Sequence, residues 1–342
     1  MRRCALLLVT LSRGVAVLSS GAQTQPSRAA LCRSGAAQMA LRIDSHLHVW
    51  SDGEPPYPWE VPPPEELRAS ARAEVLVESA RRAGVSGALI VQPANHKFDH
   101  SYVTAALERY PDFFRGMMLA NPSLPAAEAV AELEALQAAG YVGVRFNPSL
   151  FPDGIDSEVG RSLYKRAGEL GMSVGLMCFG GLLPQYKSAE SLIKESPETK
   201  LIIDHFGFFR QPATGGLLGP AATDQERHWD VLLKLSRHPQ VYVKLSALFR
   251  VSGELPPHGD LVPRIQELVA AYGPHRLMWG SDFPFVTIGG NNPTEAAMSY
   301  GEAAALPAGW IDVEGVDEEA LEMIRGGTAA ALFGFPAAPP SQ

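Results

Sequence analysis

The stretch Leu41-Arg42-Ile43-Asp44-Ser45-His46-Leu47-His48-Val49-Trp50 ends a short apolar run in a His-x-His motif. Alternate residues of a strand share a face, so we expect His46 and His48 side by side, with their apolar neighbours available for packing. A pair of histidines at an exposed strand end is the alternative interpretation. Two imidazoles on one face, at the end of a first strand, predict a chemical site.

Two later apolar runs also end in residues capable of metal or proton chemistry: Leu201-Ile202-Ile203-Asp204-His205 and Arg276-Leu277-Met278-Trp279-Gly280-Ser281-Asp282. The parallel strands of an α/β barrel carry the active site at their C-terminal ends. The three segments together therefore predict a barrel mouth at which His46, His48, His205 and Asp282 converge.

From Leu41 onward, short β-rich runs alternate with amphipathic helical stretches, which indicates a parallel sheet with crossover helices. The chain holds eight such units, and one barrel uses about 250 residues. We therefore predict an α/β fold with a single (β/α)8 TIM barrel over residues 40–335, a C-terminal helix over 317–332 and a tail over 336–342. The first helix is predicted over 65–83. The later strands are predicted at Ser86–Val91, Phe113–Leu119, Tyr141–Arg145, Met172–Cys178, Lys200–Asp204, Val241–Leu245 and Arg276–Gly280.

Residues 1–39 differ in composition from the rest, with five arginines, many Ser and Ala residues and no Asp or Glu. This composition is typical of an organellar transit peptide, so we expect a cleavable targeting segment and a protein of the chloroplast or mitochondrion. A secretory signal is the alternative, because Ala5–Val9 forms a short apolar core, although Arg13 interrupts it. Translation from Met39 would instead give a cytoplasmic protein.

Charge and cysteine content limit the partners. The net charge is −8, and beyond the first 39 residues 24 basic residues stand against 37 acidic ones, which gives −13. A folded part this acidic is a poor binder of polyanions, so we expect no nucleic acid partner.

Cys178 is the one cysteine outside the targeting segment, which excludes a disulfide within the mature chain. No apolar run after residue 40 reaches the roughly 18 residues of a membrane span, so we expect a small-molecule substrate, no membrane and, as one arrangement, a homodimer.

Polar residues that follow the predicted strands are candidates for substrate binding. Arg145 ends the fourth strand and Asn147 follows it, while Gln92 and Lys97 follow the second. A guanidinium at the depth of Arg145 needs an anionic partner, because an unpaired buried charge is costly. That partner is either structural, such as Asp153 or Asp156, or a substrate carboxylate held by two hydrogen bonds.

With these residues in view, the chain resembles the amidohydrolase superfamily, and more closely its amidohydrolase-related branch of small (β/α)8 proteins. The motifs that carry the resemblance are Ile43–Trp50, Val144–Asn147, Ile203–Gly207, Val243–Ser246 and Leu277–Pro284. The resemblance covers nearly everything from Leu41 to Phe335. It implies a metal-dependent-hydrolase-like barrel that is either a zinc-dependent decarboxylase or a lactone hydrolase, and some of the latter work without metal.

By this resemblance, His46, His48 and Asp282 match metal ligands and His205 matches the histidine that handles protons. The fifth strand departs from the pattern, because Met177 stands where a further histidine ligand is expected. A thioether is a poor zinc ligand, whereas the thiolate of the adjacent Cys178 would be a good one.

Two interpretations follow for the chemistry. In the first, which we favour, the site holds no tightly bound cofactor: Asp282 activates water to open a small carboxylated or sugar lactone, while the histidines and Arg145 stabilise the oxyanion and hold a carboxylate. In the second, His46, His48 and Asp282 bind zinc, with water or Cys178 completing the coordination shell. A zinc-dependent decarboxylase of a small aromatic or unsaturated acid, and a non-catalytic ligand-binding barrel, are the alternative functions.

Overall fold

Eight parallel strands form the centre of the protein. The computed structural model describes residues 41–210, 224–290, 297–311 and 313–336. The strands are β1 (Ile43–Leu47), β2 (Gly87–Val91), β3 (Phe114–Leu119), β4 (Tyr141–Phe146), β5 (Ser173–Leu176), β6 (Lys200–Ile203), β7 (Val241–Ser246) and β8 (Leu277–Gly280). Each strand pairs in parallel with the next along the chain, in the order β1 to β8.

Hydrogen bonds just beyond β8 close the sheet onto β1. The amide of Asp282 donates to the carbonyl of His46 at 2.8 Å, and the amide of His48 donates to the carbonyl of Phe283 at 2.7 Å. The predicted (β/α)8 barrel is therefore confirmed, and its closing seam joins the two segments that carry the His-x-His motif and Asp282.

Helices follow the strands around the outside of the barrel. They are α1 (Ala73–Arg82), α2 (Ser101–Arg109), α3 (Ala126–Ala138), α4 (Glu158–Glu169), α5 (Tyr186–Glu195), α6 (Gln225–Leu235), α7 (Leu248–Val251), α8 (Val262–Tyr272), α9 (Tyr300–Ala305), α10 (Glu318–Glu322) and α11 (Thr328–Phe333). None of the helices in these ranges is long and apolar enough to cross a bilayer.

The predicted first helix is shorter than expected. A 3₁₀ turn covers Glu65–Leu67, and α1 starts only at Ala73, after Arg72 in an extended conformation. The carbonyl of Ala71 accepts a hydrogen bond from the amide of Trp50 at 3.0 Å, so this part of the backbone is bound to the segment after β1. A tertiary contact thus interrupts a stretch whose composition favours helix.

A β-bulge sets the orientation of the His-x-His motif. Between β1 and β2, Asp44 pairs with Ala88 but Leu47 pairs with Ile90, so three steps on β1 oppose two on β2. Such an extra residue re-aims the side chains that follow it. Ile43 precedes the bulge and packs with the interior residues Leu89 and Met117. An odd separation would place Ile43 and His46 on opposite faces of a regular strand, and the bulge removes this difference.

The C-terminal segment packs against the N-terminal end of the barrel. Ala329, Ala330, Phe333 and Phe335 form one apolar cluster with interior residues such as Ile43 and Met117. A π-helical turn at Met323–Gly327 joins α10 to α11, so the predicted terminal helix consists of three helical pieces. The predicted targeting segment 1–39 and all but the first residue of the predicted tail 336–342 lie outside the described residues and stay predictions.

Candidate active site

The His-x-His motif and Asp282 meet at the seam between β1 and β8. His46 Nε2 lies 3.9 Å from Asp282 Oδ1, and His48 Nε2 lies 3.5 Å from the same oxygen. The Nδ1 of His48 lies 2.8 Å from the carbonyl of Val91. A carbonyl only accepts, so Nδ1 carries a hydrogen, and Nε2 is the ring atom that faces Asp282.

A buried charge cluster lies beneath His46. Asp204 Oδ1 is 3.2 Å from Lys244 Nζ and 3.3 Å from His46 Nδ1, and its Oδ2 is 3.5 Å from Arg145 Nε. Burial opposes the charge of Asp204, but attraction to Lys244 and His46 outweighs it and holds the pKa well below its usual range. Burial also lowers the pKa of Lys244, against the attraction of Asp204. The partner of Arg145 is therefore Asp204, and Asp156 pairs instead with Arg161 at 3.3 Å.

A second guanidinium binds the other side of Asp282. Arg250, on α7, donates from Nε to Asp282 Oδ2 at 2.8 Å, and its guanidinium lies 5.0 Å from the ring centre of Phe285. Burial opposes ionisation of Asp282, but Arg250 and His48 hold the pKa of its carboxyl well below its usual range. Asp282 is therefore a carboxylate at neutral pH.

His205 lies beside the cluster as a neutral imidazole. Its Nδ1 is 2.8 Å from the hydroxyl of Ser246, and its ring centre is 4.3 Å from that of His46. Burial lowers the pKa of His205 to about 4, although Asp282 and Asp204 pull in the opposite direction. The ring is therefore uncharged at neutral pH.

These groups face a cavity of about 300 Å³. Among the predicted site residues, His48, His205, Asp282, Arg145, Gln92 and Asn147 line it. Lys97 does not line it: the exposed ammonium pairs with Glu60 Oε2 at 2.8 Å on the surface. His46 lies just below the lining and contacts it through Asp282. The cavity thus collects a carboxylate, two imidazoles and two guanidinium groups at one end of the barrel.

One donor atom each from His46, His48 and Asp282 lies within 4.8 Å of the other two, so these residues fit a divalent ion as a three-donor set. The Nε2 of His46 is buried without a hydrogen-bond partner in the described part of the chain, so this atom is available to a metal ion. Met177 stands at the β5 position, and its sulfur contacts the Arg145 guanidinium. Cys178 does not belong to the set, and burial raises the pKa of its thiol, which disfavours the thiolate that zinc needs.

Sequence reasoning missed the supporting roles of Asp204, Lys244 and Arg250. The first two had a signal, since each is an ionisable residue within or directly after an apolar strand. Arg250 follows β7 on a short helix that starts after Ala247, whose backbone is left-handed at φ 53°. No feature of the sequence around Arg250 marks it as a site residue.

Comparison with known proteins shows the family to which the chain belongs. The model of the amidohydrolase family matches residues 43–335. The chain belongs to this family. Two bacterial amidohydrolase relatives are the 4-sulfomuconolactone hydrolase of Rhizobium radiobacter, 27% identical over 70% of this chain and 75% of its own, and the L-fucono-1,5-lactonase of Burkholderia ambifaria, 26% identical over 74% and 83%.

The architecture of this amidohydrolase also matches solved structures. A Pseudomonas putida protein assigned as a 2-pyrone-4,6-dicarboxylic acid hydrolase superposes with a TM-score of 0.64 at 27% identity, over 87% of this chain and 99% of that chain. The 2,6-dihydroxybenzoate decarboxylase from Rhizobium superposes with a TM-score of 0.57 at 14% identity, over 86% and 98%. At that identity the second likeness concerns the fold alone.

Proposed function

We propose that this protein hydrolyses the ester bond of a small, negatively charged lactone. The observation that carries the proposal is the convergence of the ionised Asp282 with the guanidinium groups of Arg145 and Arg250 on one cavity of about 300 Å³. That volume suits a small ligand. The relatives support it, because several of them are named as lactone hydrolases.

The charge balance of the site favours an anionic substrate. Among the residues that line the cavity, the guanidinium groups of Arg145 and Arg250 stand against the carboxylate of Asp282, and burial keeps His205 neutral. These three charged groups leave one positive charge in excess. Two guanidinium groups at the cavity wall are suited to bind a carboxylate or sulfonate through paired hydrogen bonds.

Asp282 is placed to act as general base. A water at its carboxylate loses a proton to Asp282 as its oxygen attacks the lactone carbonyl carbon, and the negative charge moves to the carbonyl oxygen. Collapse of the tetrahedral intermediate breaks the bond to the ring oxygen, which takes the proton back from Asp282. The ring opens to an acid and an alcohol or enol, and the guanidinium groups stabilise the oxyanion.

The proposal includes that no metal is tightly held. When bound, a divalent ion at His46, His48 and Asp282 would polarise the carbonyl and acidify water. Three features weaken such binding: Met177 supplies no histidine nitrogen, Arg250 occupies the second oxygen of Asp282, and the nearby cations repel a further positive charge.

The test uses the full chain purified without added metal. A panel of carboxylated and sugar lactones should reveal turnover that survives excess chelator, with less than one equivalent of zinc by elemental analysis.

Asp282→Asn should lower kcat by about 10²- to 10⁴-fold, the usual contribution of general-base catalysis. The control Asp112→Asn changes an exposed carboxylate and should keep full activity. Loss of turnover on chelation, with recovery on zinc addition, would overturn the metal-free part of the proposal, and no turnover of any lactone would overturn the function.

A further inference from the structure

Gln92 follows the last residue of β2 and forms part of the cavity wall. Its side chain is almost completely buried, with 1% of the residue exposed. Buried amides in proteins normally satisfy both their donor and their acceptor. Within the described part of the chain, Gln92 has partners only for its donor.

The orientation of the Gln92 amide is fixed by the backbone. Nε2 donates to the carbonyl of Lys97 at 3.1 Å and to the carbonyl of Asp99 at 2.8 Å, which uses both of its hydrogens. Reversing the amide would set its oxygen against two carbonyl oxygens, where no donor is available. Oε1 is therefore held as an acceptor, and it has no hydrogen-bond donor within the described residues.

The two guanidinium groups of the cavity do not donate to Gln92 Oε1. The guanidinium of Arg250 donates to Asp282, and that of Arg145 lies against Asp204 and Met177. Asn147, a second amide at the cavity wall, differs from Gln92 because its oxygen already accepts from the amide and the hydroxyl of Ser149. An acceptor that is buried, rigid and unused, in the wall of a binding cavity, is suited to a donor on the ligand.

We propose that Gln92 Oε1 accepts a hydrogen bond from a hydroxyl group of the substrate, so that the substrate class is an anionic lactone that carries a free hydroxyl. This inference rests on the proposed function and narrows it. Sites built to bond a substrate hydroxyl reject analogues that lack it, because the buried protein group then stays unpaired.

The experiment compares pairs of lactones with the same ring and the same carboxylate, one with a hydroxyl and one with hydrogen in its place. Each ring position is sampled by one pair, and kcat/KM is measured for the wild type and for Gln92→Met, which keeps the length of the side chain without the amide. For at least one pair, the wild type should prefer the hydroxylated member by about 10-fold or more. Gln92→Met should bring that ratio close to one.

The ratio of kcat/KM within a pair separates loss of the hydrogen bond to the substrate hydroxyl from general damage to the loop that follows β2. Gln92→Met also loses the bonds to Lys97 and Asp99, and a displaced loop would slow both members of a pair alike without changing their ratio. Equal turnover of every pair by the wild type, or a preference that persists in Gln92→Met, would overturn this inference and leave lactone hydrolysis standing. Failure to hydrolyse any lactone would overturn both.

Discussion

Charged residues in the interior of this barrel lie next to groups of opposite charge, which offset the cost of burial. Asp204 and Lys244 are completely buried, yet each contacts a group of opposite charge within 3.2 Å. Removing one member of such a pair leaves an uncompensated charge, which costs about 3–5 kcal/mol. Substitution of either Asp204 or Lys244 in the cluster beneath His46 is therefore expected to destabilise the folded protein.

His100 illustrates the opposite solution, a buried residue that stays neutral. It precedes α2, and its Nε2 accepts a hydrogen bond from the amide of Leu119 on β3 at 3.1 Å. Burial lowers the pKa of His100 to about 4, against the pull of the Phe98 carbonyl and Asp99. At pH values between about 4 and the ordinary pKa of about 6.5, the His100 imidazole is protonated in the unfolded chain but not in the folded protein.

We therefore predict that His100 makes folding less favourable as the pH falls from 6.5 towards 4. At pH 5.5 the loss relative to pH 7.5 should amount to about 1 kcal/mol of unfolding free energy. His100→Gln keeps an acceptor for Leu119 but does not titrate, so urea unfolding of this variant should show an acid-induced loss smaller by that amount. An equal loss in wild type and variant would contradict the prediction.

Single residues also show which parts of the candidate site can be predicted from the sequence. Residues at strand ends, such as His205 and Asp282, are marked by an apolar run that stops in a polar residue, and parallel strands bring such ends together. Lys97 had a similar position after β2, but it pairs with Glu60, which is 37 positions away and carries no local signal. Partners of this kind depend on how separate loops fold over each other, and periodicity contains no information about that.

At the scale of elements, the strands were predictable to within a few residues, because each is a β-rich run bounded by turn residues. The bulge in β1 was not, since it depends on how β1 pairs with β2 rather than on its own composition. Asp44 stabilises this irregular segment: its carboxylate accepts from the amide and hydroxyl of Ser281 at 2.9 and 2.6 Å and from the hydroxyl of Tyr300 at 3.0 Å. These bonds tie β1 to the segment that carries Asp282.

Close approach of β8 to β1 requires a glycine at position 280. A methyl group there would lie 2.9 Å from both the Cβ and the backbone nitrogen of His46. We predict that Gly280→Ala lowers the unfolding free energy by about 1–3 kcal/mol, the usual cost of overpacking, and also lowers kcat by displacing His46. Thermal unfolding and lactone turnover measure the two effects.

The matched control is Gly309→Ala, because an added methyl group there meets no atom within 4 Å. Its melting temperature and its turnover should equal those of the wild type. If Gly280→Ala behaved like this control, the seam between β1 and β8 would be looser than the contacts indicate.

At the scale of the whole molecule, the packing of the C-terminal segment and the candidate active site lie at opposite ends of the barrel. The C-terminal ends of the strands carry Asp282 and the histidines, whereas the N-terminal ends pack against the C-terminal segment. Phe335 is 7% exposed and packs on Gly87 at the start of β2, where an added Cβ would lie 2.8 Å from its ring. The Arg115 guanidinium lies 5.0 Å from the ring centre and donates to the carbonyl of Gly334 at 3.0 Å.

This separation leads to a prediction for Phe335→Ala. Removal of a buried aromatic ring costs about 3–5 kcal/mol, so the urea midpoint of unfolding should fall well below that of the wild type. In the folded variant kcat should stay within about two-fold of the wild type, because residues at the N-terminal face of such barrels serve stability rather than catalysis. Leu255→Ala, which truncates a side chain of a residue that is 53% exposed, should change neither quantity. A loss of kcat in folded Phe335→Ala would mean that packing at the N-terminal end is transmitted along the strands to Asp282, and the two ends would then not be independent.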